Sequence, residues 1–333
     1  MNTEIEAPPP ISVDRSEHPF IFMGGVGYDD ERNRRTANAI IDLTGHSDIV
    51  TTPNTPTNSS EYDTVVFVDN DGQERELPGR IALKQLEIDT AKARYTRLQE
   101  SRAEQLITNI ETAGGKPVDA VFQSADTSVG ILAMLKRPDL FHEVILLDPS
   151  SIIKLPPRLK YLKEELRNGN ILALLRHRKG PEENTQMHNN EPQTSFRERL
   201  AERVHKAKKT LGTRKSGITS ASYVSYQASM LHDISQMDNA PKVSILSSRF
   251  DHAYNPLRLL DALISLDDIN RFFISNSRHG LAKKPNKLEQ LASIFSGNLE
   301  KVSMLTDKII VADGIPKDYI DKILSIVNYR KSH

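Results

Sequence analysis

The sequence predicts an α/β fold, in which a mostly parallel sheet of about eight strands carries helices on both faces, together with an inserted helical lid. Short apolar runs alternate with helical segments over residues 18–150, and the same alternation returns over residues 236–298. Apolar strands that alternate with helices are typical of a parallel sheet covered on both faces. Residues 151–235 contain no convincing buried strand, which predicts a helical insertion between the two parts of the core.

The first part of the core opens with the run HPFIFMGGVG, residues 18–27, whose apolar stretch ends in glycines and predicts a buried strand before a tight loop. Apolar residues at helical spacing over 37–43 predict the next helix, and SDIVTT predicts a second short strand. Asp71-Gly72 between two extended runs predicts a hairpin. We expect residues 81–113 to form one long, charged helix.

The remaining elements follow the same logic. VDAVFQS, EVILLDPS, KVSILSS and RFFISNS predict buried strands, and TSVGILAMLKRP, NPLRLLDALISL and NKLEQLASIFSG predict the helices between them. The C-terminal extension, residues 299–333, predicts a strand at KIIVA and a last helix at KDYIDKILSIVNYRK. Residues 1–17, acidic and rich in proline, predict a flexible leader and lack the pattern of a signal peptide.

Composition excludes several classes of protein. The chain has no cysteine, so disulfides, thiolate catalysis and cysteine-ligated zinc are excluded, and we expect a cytoplasmic location. Its 44 basic and 44 acidic residues balance, which argues against nucleic acid as a partner of the whole protein, and no apolar run is long enough to span a membrane. Within the lid, residues 154–215 carry 16 Lys or Arg against 7 Glu, a net charge of +9 that favours anionic ligands.

Residues 118–149 carry the most specific signal. Their strand, turn, helix and next strand resemble the region around the nucleophile of the α/β-hydrolases, with Ser124 at the strand-to-helix turn. Such a turn projects the hydroxyl above the sheet at the positive end of the following helix. The family prefers G-x-S-x-G, whereas this chain has Phe122-Gln123-Ser124-Ala125-Asp126.

This departure leaves alternatives open at the turn. Ser128 could be the nucleophile instead, one turn into the helix, or Ser124 could be an ordinary helix N-cap. Bulky residues at 122 and 126 are expected to distort the turn and slow the reaction. Because Asp126 would bring negative charge near a developing oxyanion, Asp126→Gly is expected to raise the rate.

The resemblance also implies an acid and a base. Asp251 follows the strand after the lid, in a turn with proline shortly downstream, and matches the acid of the family; Asp148 is a weaker alternative. His279 follows the next strand, before a helix, and matches the base, with His252 as its competitor. An aspartate orients the imidazole, which takes the hydroxyl proton and returns it to the leaving group.

The glycine loop after the first strand, Met23-Gly24-Gly25-Val26-Gly27, resembles the oxyanion loop of the same family, with methionine in place of histidine. The resemblance implies that the backbone N–H groups of Gly25 and Ala125 face the oxyanion. It further implies an acyl-serine intermediate, a small acyl substrate and no cofactor or metal. The competing hypothesis is a catalytically silent relative that binds a ligand or partner through its basic lid.

Overall fold

In the described part of the chain, seven strands form one central sheet. The computed structural model describes residues 17–25, 30–46, 48–53, 64–69, 71–78, 93–150, 152, 227–251, 255–263, 269–277, 285–297 and 302–331. The strands of the sheet are β1 (Phe20–Met23), β5 (Val118–Gln123), β6 (Phe141–Leu147), β7 (Lys242–Ser248), β8 (Arg271–Ser275), β9 (Val302–Met304) and β10 (Ile309–Ala312). They lie in the order β1-β5-β6-β7-β8-β10-β9, and all neighbours are parallel except β10 and β9.

Helices cover both faces of this sheet, as the sequence predicted. They are α1 (Asp30–Thr44), α2 (Arg97–Thr112), α3 (Thr127–Lys136), α4 (Ala228–Ser235), α5 (Pro256–Leu263), α6 (Pro285–Ser296) and α7 (Lys317–Lys331). Helices α1 and α6 pack with one apolar cluster, and α2, α3, α4, α5 and α7 pack with the other. Along β5 the side chains alternate between them, with Val121 in one and Ala120 and Phe122 in the other. This double cover explains why both faces of the central strands carry buried apolar residues.

A second sheet, which is antiparallel, packs against the same apolar cluster as one face of the first. It has the order β3-β2-β4, built from β2 (Thr64–Val68), β3 (Glu74–Pro78) and β4 (Ala93–Thr96). The predicted hairpin is confirmed, since β2 and β3 pair on either side of Asp71-Gly72. Gly72 has φ +79°, a left-handed conformation that glycine adopts without strain.

The expectation of one helix over residues 81–113 is wrong at β4. The helix begins only at Arg97, because Thr96 caps it: the Thr96 hydroxyl accepts the Gln99 N–H, and the Gln99 side chain accepts the Thr96 N–H. Before the cap, Tyr95 pairs with Val66 in an extended strand and is buried. Aromatic and β-branched residues favour such a pairing over a helical turn.

Short segments extend the main sheet at both of its edges. SDIVTT contributes a single bridge between Ile49 and Phe20 at the edge of the main sheet. The C-terminal extension provides β9, β10 and α7, and therefore completes the sheet beyond β8.

Of the leader, residues 1–17, and the lid, residues 151–235, the structure describes only residues 17, 152 and 227–235, which include α4, so both remain predictions. No helix in the described ranges has the length and apolarity to cross a membrane.

A buried polar cluster lies at the amino end of β5, around Asp119. His46 Nε2 lies 2.9 Å from Asp119 Oδ2, His142 Nδ1 lies 2.9 Å from Oδ1, and the Glu143 N–H donates to Oδ1. Burial by itself raises the pKa of the Asp119 carboxyl, but the hydrogen bonds with His46 and His142 outweigh it, so the pKa lies below its ordinary value. The charged carboxylate is therefore favoured in the folded state.

We predict that Asp119→Asn lowers the free energy of unfolding by about 1–3 kcal/mol near neutral pH, because hydrogen bonds to a buried charge are weakened. A lowered pKa stabilises the fold above the unfolded pKa, and this contribution is lost as pH falls through the folded value. Urea unfolding should show the difference between wild type and variant shrinking below about pH 4. A difference that grew toward acid pH would contradict the assignment.

Candidate active site

The candidate site residues follow adjacent strands of the main sheet. Strands β5, β6, β7 and β8 are parallel neighbours, so their carboxyl ends meet at one edge. Ser124 follows β5, Asp148 follows β6 and Asp251 lies three residues after β7. Neighbouring strands are about 4.8 Å apart, so the edge brings these polar residues into one region although 127 positions separate Ser124 and Asp251 in sequence.

Ser124 has a left-handed backbone, with φ +56°. It begins a 3₁₀ turn, Ser124–Asp126, that continues directly into α3. A non-glycine residue in this region costs about 1–2 kcal/mol, and such strain is typical of functional sites. The alternative of an ordinary N-cap is wrong, because an N-cap residue has an extended backbone with negative φ. The strand, sharp turn and helix match the context of a nucleophile elbow.

Ser128, the alternative nucleophile, lies in the first turn of α3. Only 1 % of it is exposed, whereas Ser124 is partly exposed. A hydroxyl enclosed by the helix and the core cannot meet a substrate at the edge of the sheet. The structure therefore favours Ser124 over Ser128 on both backbone geometry and access.

Phe122, on the strand before Ser124, packs against Gly130 in helix α3. A Cβ on Gly130, in α3, would lie 2.3 Å from the ring of Phe122, so only glycine fits under this ring. In the family motif the glycine stands on the strand, two residues before the serine. Here the bulky residue stands on the strand and the glycine on the helix, and the strand and helix can still pack closely. Phe122 is fully buried, and the bulk that was expected to distort the turn has a built space.

Asp126, which was expected to bring negative charge near a developing oxyanion, forms an ion pair with Arg102. Arg102 Nη1 donates to Asp126 Oδ1 at 2.6 Å, and Nη2 donates to Oδ2 at 3.1 Å. The side chains of Arg102 and Asp126 are 9 % and 2 % exposed, so the ion pair is desolvated. Asp126 Oδ2 also accepts the Gly25 N–H at 3.2 Å. The carboxylate thus joins the elbow, helix α2 and the glycine loop.

Gly25 lies directly against the elbow. It has φ +78°, and a Cβ at this position would lie 2.8 Å from Gln123 O and 3.1 Å from Ser124 Cβ. The Gly24 N–H is held by Asn33 Oδ1. The Gly25 N–H, which was expected to face an oxyanion, donates to Asp126. Ala125, the other expected donor, lies in the first turn of the helical segment, where amides lack intrahelical acceptors.

Asp251 is buried in the turn after β7. Only 4 % of it is exposed, and its N–H donates to Ser248 O at 2.9 Å. This turn is joined to the segment after β8, because the Arg249 N–H donates to Ser275 O and the Phe250 N–H donates to Ser277 O. The expected base, His279, and its competitor, His252, both lie outside the described residues.

Asp148, the weaker alternative for the acid, is paired with Lys287 and with the Ser248 backbone. Its carboxylate accepts the Lys287 ammonium at 2.6 Å and the Ser248 N–H at 2.7 Å. Asp148 is fully buried, and Lys287 is 2 % exposed. This pairing commits Asp148 to the structure beneath the site and leaves Asp251 as the candidate acid.

Sequence reasoning missed Arg102 and Lys287, although a signal for each exists. Arg102 shares the buried face of α2 with Gln99, Leu106 and Ile110, at helical spacing. Lys287 lies four residues before Leu291, on the face of α6 that packs on the sheet. A charged residue within an apolar stripe indicates a buried partner, but the stripe does not say which partner.

Comparison with known proteins gives similarity to solved structures alone, since no family model and no curated protein matches the chain. Similar structures include a hydrolase from Pseudomonas aeruginosa PA01, with 12% identity and a TM-score of 0.48 over 85% of this chain and 92% of that one. An esterase, RhEst1, from Rhodococcus sp. ECU1013 has 12% identity and a TM-score of 0.46 over 85% and 91%. MGS-M2, an alpha/beta hydrolase from a Medee basin deep-sea metagenome library, has 14% identity and a TM-score of 0.44 over 91% and 96%. At these values the neighbours carry no conclusion about reaction or substrate.

We predict that Asp126→Gly destabilises the fold by about 3–5 kcal/mol, because it removes the carboxylate partner of the buried Arg102 guanidinium. Asp126→Asn is the matched control, since it keeps the shape and an acceptor and removes only the charge. Urea unfolding measures both variants. Wild-type stability in Asp126→Gly would show that the pair does not hold the elbow.

A second prediction concerns the glycine loop. Gly25→Ala should cost about 1–3 kcal/mol more than Gly72→Ala, because both glycines have the same left-handed φ but only Gly25 has backbone within reach of a new Cβ. Gly72 has no atom within 4 Å of that position. Thermal unfolding of the two variants provides the comparison, and equal losses would contradict the close contact with the elbow.

Proposed function

We propose that this chain, whose fold is of the α/β-hydrolase type, is a serine hydrolase that cleaves a carboxylic ester or a related acyl compound. The observation that carries the proposal is the left-handed backbone of Ser124 at the carboxyl end of β5. This strained turn presents a hydroxyl at the start of a helix, where partial positive charge favours a developing oxyanion. A serine that only capped a helix or packed in the core would not need this strained backbone.

The proposed reaction uses three side chains. Ser124 Oγ attacks the substrate carbonyl and gives its proton to His279, which then protonates the leaving alcohol. His279 then takes a proton from a water molecule whose oxygen attacks the acyl carbonyl, and it gives this proton to Ser124 Oγ as the bond between Ser124 and the acyl group breaks. Asp251 orients the imidazole and stabilises its charged form, and its burial suits this role because a buried carboxylate acts through a low dielectric.

Chain connectivity supports the placement of the base. His279 is two residues beyond Ser277, so their Cα atoms can be at most about 7.6 Å apart. Ser277 O accepts the N–H of Phe250, the neighbour of Asp251. Asp251 and Ser277, two residues before His279, therefore lie at the same end of β7 and β8, with the end of β6 between them and the strand end that carries Ser124.

In this proposal the oxyanion is held by the N–H groups of Ala125 and Gly25. The Gly25 amide donates to Asp126 Oδ2 through a bond of 3.2 Å, which is long for a charge-assisted hydrogen bond. Arg102 holds the same carboxylate, so Asp126 keeps a strong partner when the amide turns to the substrate oxygen. The pair also fixes the loop beside the elbow.

The substrate class follows from the surroundings that the sequence predicts. The net charge of +9 over residues 154–215 favours an acyl compound that carries negative charge. Attraction between exposed charges is screened over about 8–10 Å at ordinary ionic strength, so the apparent affinity for an anionic ester should fall as salt rises. No residue of the proposed reaction calls for a cofactor.

One observation favours the competing hypothesis, a silent relative that binds a ligand through the lid. The Gly25 amide is engaged by Asp126, and a site that needs this donor would work slowly if the bond persisted in the complex. Both hypotheses share the fold, and covalent labelling separates them.

We predict that a fluorophosphonate probe labels the wild-type protein and that Ser124→Ala abolishes the labelling while the circular dichroism spectrum is unchanged. Ser128→Ala is the matched control, because Ser128 is buried in α3 and should leave most of the labelling intact. Mass spectrometry of the labelled peptide gives the position of the adduct.

Failure of the folded wild-type protein to react with several probes of different size would contradict the hydrolase proposal and favour the silent binder. An adduct on a serine other than Ser124 would support the hydrolase proposal but contradict the assignment of Ser124 as the nucleophile.

A further inference from the structure

A buried ion pair lies beneath the edge that carries the proposed acid and base. Lys287 Nζ is 2.6 Å from Asp148 Oδ2 and 2.5 Å from Ser248 Oγ, and Asp148 Oδ1 accepts the Ser248 N–H at 2.7 Å. The three residues are 2 %, 0 % and 0 % exposed. Replacing such a pair with apolar residues of similar size often leaves a fold equally stable or more stable. Its directional hydrogen bonds point instead to a geometric role.

The pair joins the ends of three strands. Asp148 follows β6, with a left-handed φ of +44°, and Ser248 ends β7. Ser248 Oγ lies 3.2 Å from Ser277 Oγ, which lies 2.6 Å from Ser275 Oγ at the end of β8. One ammonium group thus joins the carboxylate that follows β6 to a chain of hydroxyls at the ends of β7 and β8.

Each part of the proposed machinery connects to this network. Ser248 O accepts the Asp251 N–H, and the Ser150 N–H, two residues after Asp148, donates to Ser124 O at 3.3 Å. The segment that contains His279 runs from Ser277 to α6, so the network holds both of its ends, one through Ser277 and the other through Lys287.

We infer that Lys287 is a positioning residue, whose buried ammonium fixes, through Asp148 and Ser248, the turn that carries Asp251 and the two described ends of the segment in which His279 stands. The inference rests on the proposed hydrolase function. Lys287 does not touch the substrate. It acts by keeping the acid and base loops at the distance and angle that proton transfer requires, where a displacement of about 1 Å can cost 100-fold in rate.

The test compares the double variant Lys287→Met/Asp148→Asn with wild type. Methionine fills the space of the lysine stem, and asparagine keeps an acceptor for the Ser248 N–H, so no buried charge is left alone. Asp119→Asn is the control, because it perturbs a buried carboxylate at the opposite end of the sheet. Lys287→Met alone is expected to fold poorly, since Asp148 would lose its ammonium partner.

Two measurements are made on each folded variant. The first is kcat and KM for p-nitrophenyl acetate, per active site titrated with the fluorophosphonate. The second is amide hydrogen exchange of peptides over residues 246–251 and 274–291. In the double variant we expect kcat to fall about 100-fold with KM within about twofold, and exchange to accelerate in these peptides. Asp119→Asn should change neither.

Wild-type kcat in the double variant overturns the inference, even if exchange is faster. A lower kcat with unchanged exchange also overturns it, because the loss would not run through the loops. If wild type neither hydrolyses the ester nor reacts with the probe, the proposed function fails separately. Exchange then decides: acceleration in the two peptides supports positioning by Lys287, and unchanged exchange refutes it.

Discussion

The left-handed backbone of Ser124 is the constraint around which the rest of the site is arranged. A serine with φ +56° costs free energy, and it persists only where its surroundings leave no alternative. Those surroundings are close and specific. Gly25 lies against Gln123 O and Ser124 Cβ with no room for a side chain, and Asp126 holds the turn from the other side. Ser124 is one of two non-glycine residues with positive φ among the described residues, Asp148 being the other, and its hydroxyl is the one that the proposed reaction needs.

The turn at Ser124 has this geometry without the two glycines of a G-x-S-x-G motif. A glycine on the strand normally lets the strand and helix approach each other; here Gly130 on the helix makes the space, and Phe122 fills it. The other glycine is replaced by Asp126, whose charge is balanced by Arg102 and whose second oxygen binds the glycine loop. Close packing of a strand against a helix depends on the summed volume of the side chains that face each other. A large side chain on the strand can therefore be matched by a glycine on the helix, and the distance between the two elements is retained.

Two buried ion pairs flank the proposed site and differ in what they connect. Arg102–Asp126 joins the elbow to α2 and the glycine loop, and Lys287–Asp148 joins the ends of β6, β7 and β8 to α6. Each replaces apolar packing with directional bonds at a place where loops of separate strands must keep fixed positions. The C-terminal extension also contacts the turn that carries Asp251. The Arg249 guanidinium in this turn lies over the ring of Tyr319, in α7, and over the ring of Phe250.

The sequence alone determined what depends on local pattern. Alternating apolar strands and helices identified the parallel sheet, Asp71-Gly72 identified the hairpin, and the strand–turn–helix around Ser124 identified the elbow. The helix expected over residues 81–113 was wrong at β4, because the pairing of Tyr95 with Val66 is non-local and cannot be deduced from the charged residues around it.

Only the tertiary structure decided which residues distant in sequence or on separate elements come into contact. It placed Gly130 under Phe122, Arg102 on Asp126 and Lys287 on Asp148, contacts that join residues up to 139 positions apart. A sequence shows that a charge falls on a buried face. Its partner depends on which strands and helices the fold brings side by side, and that is a property of the whole packed chain.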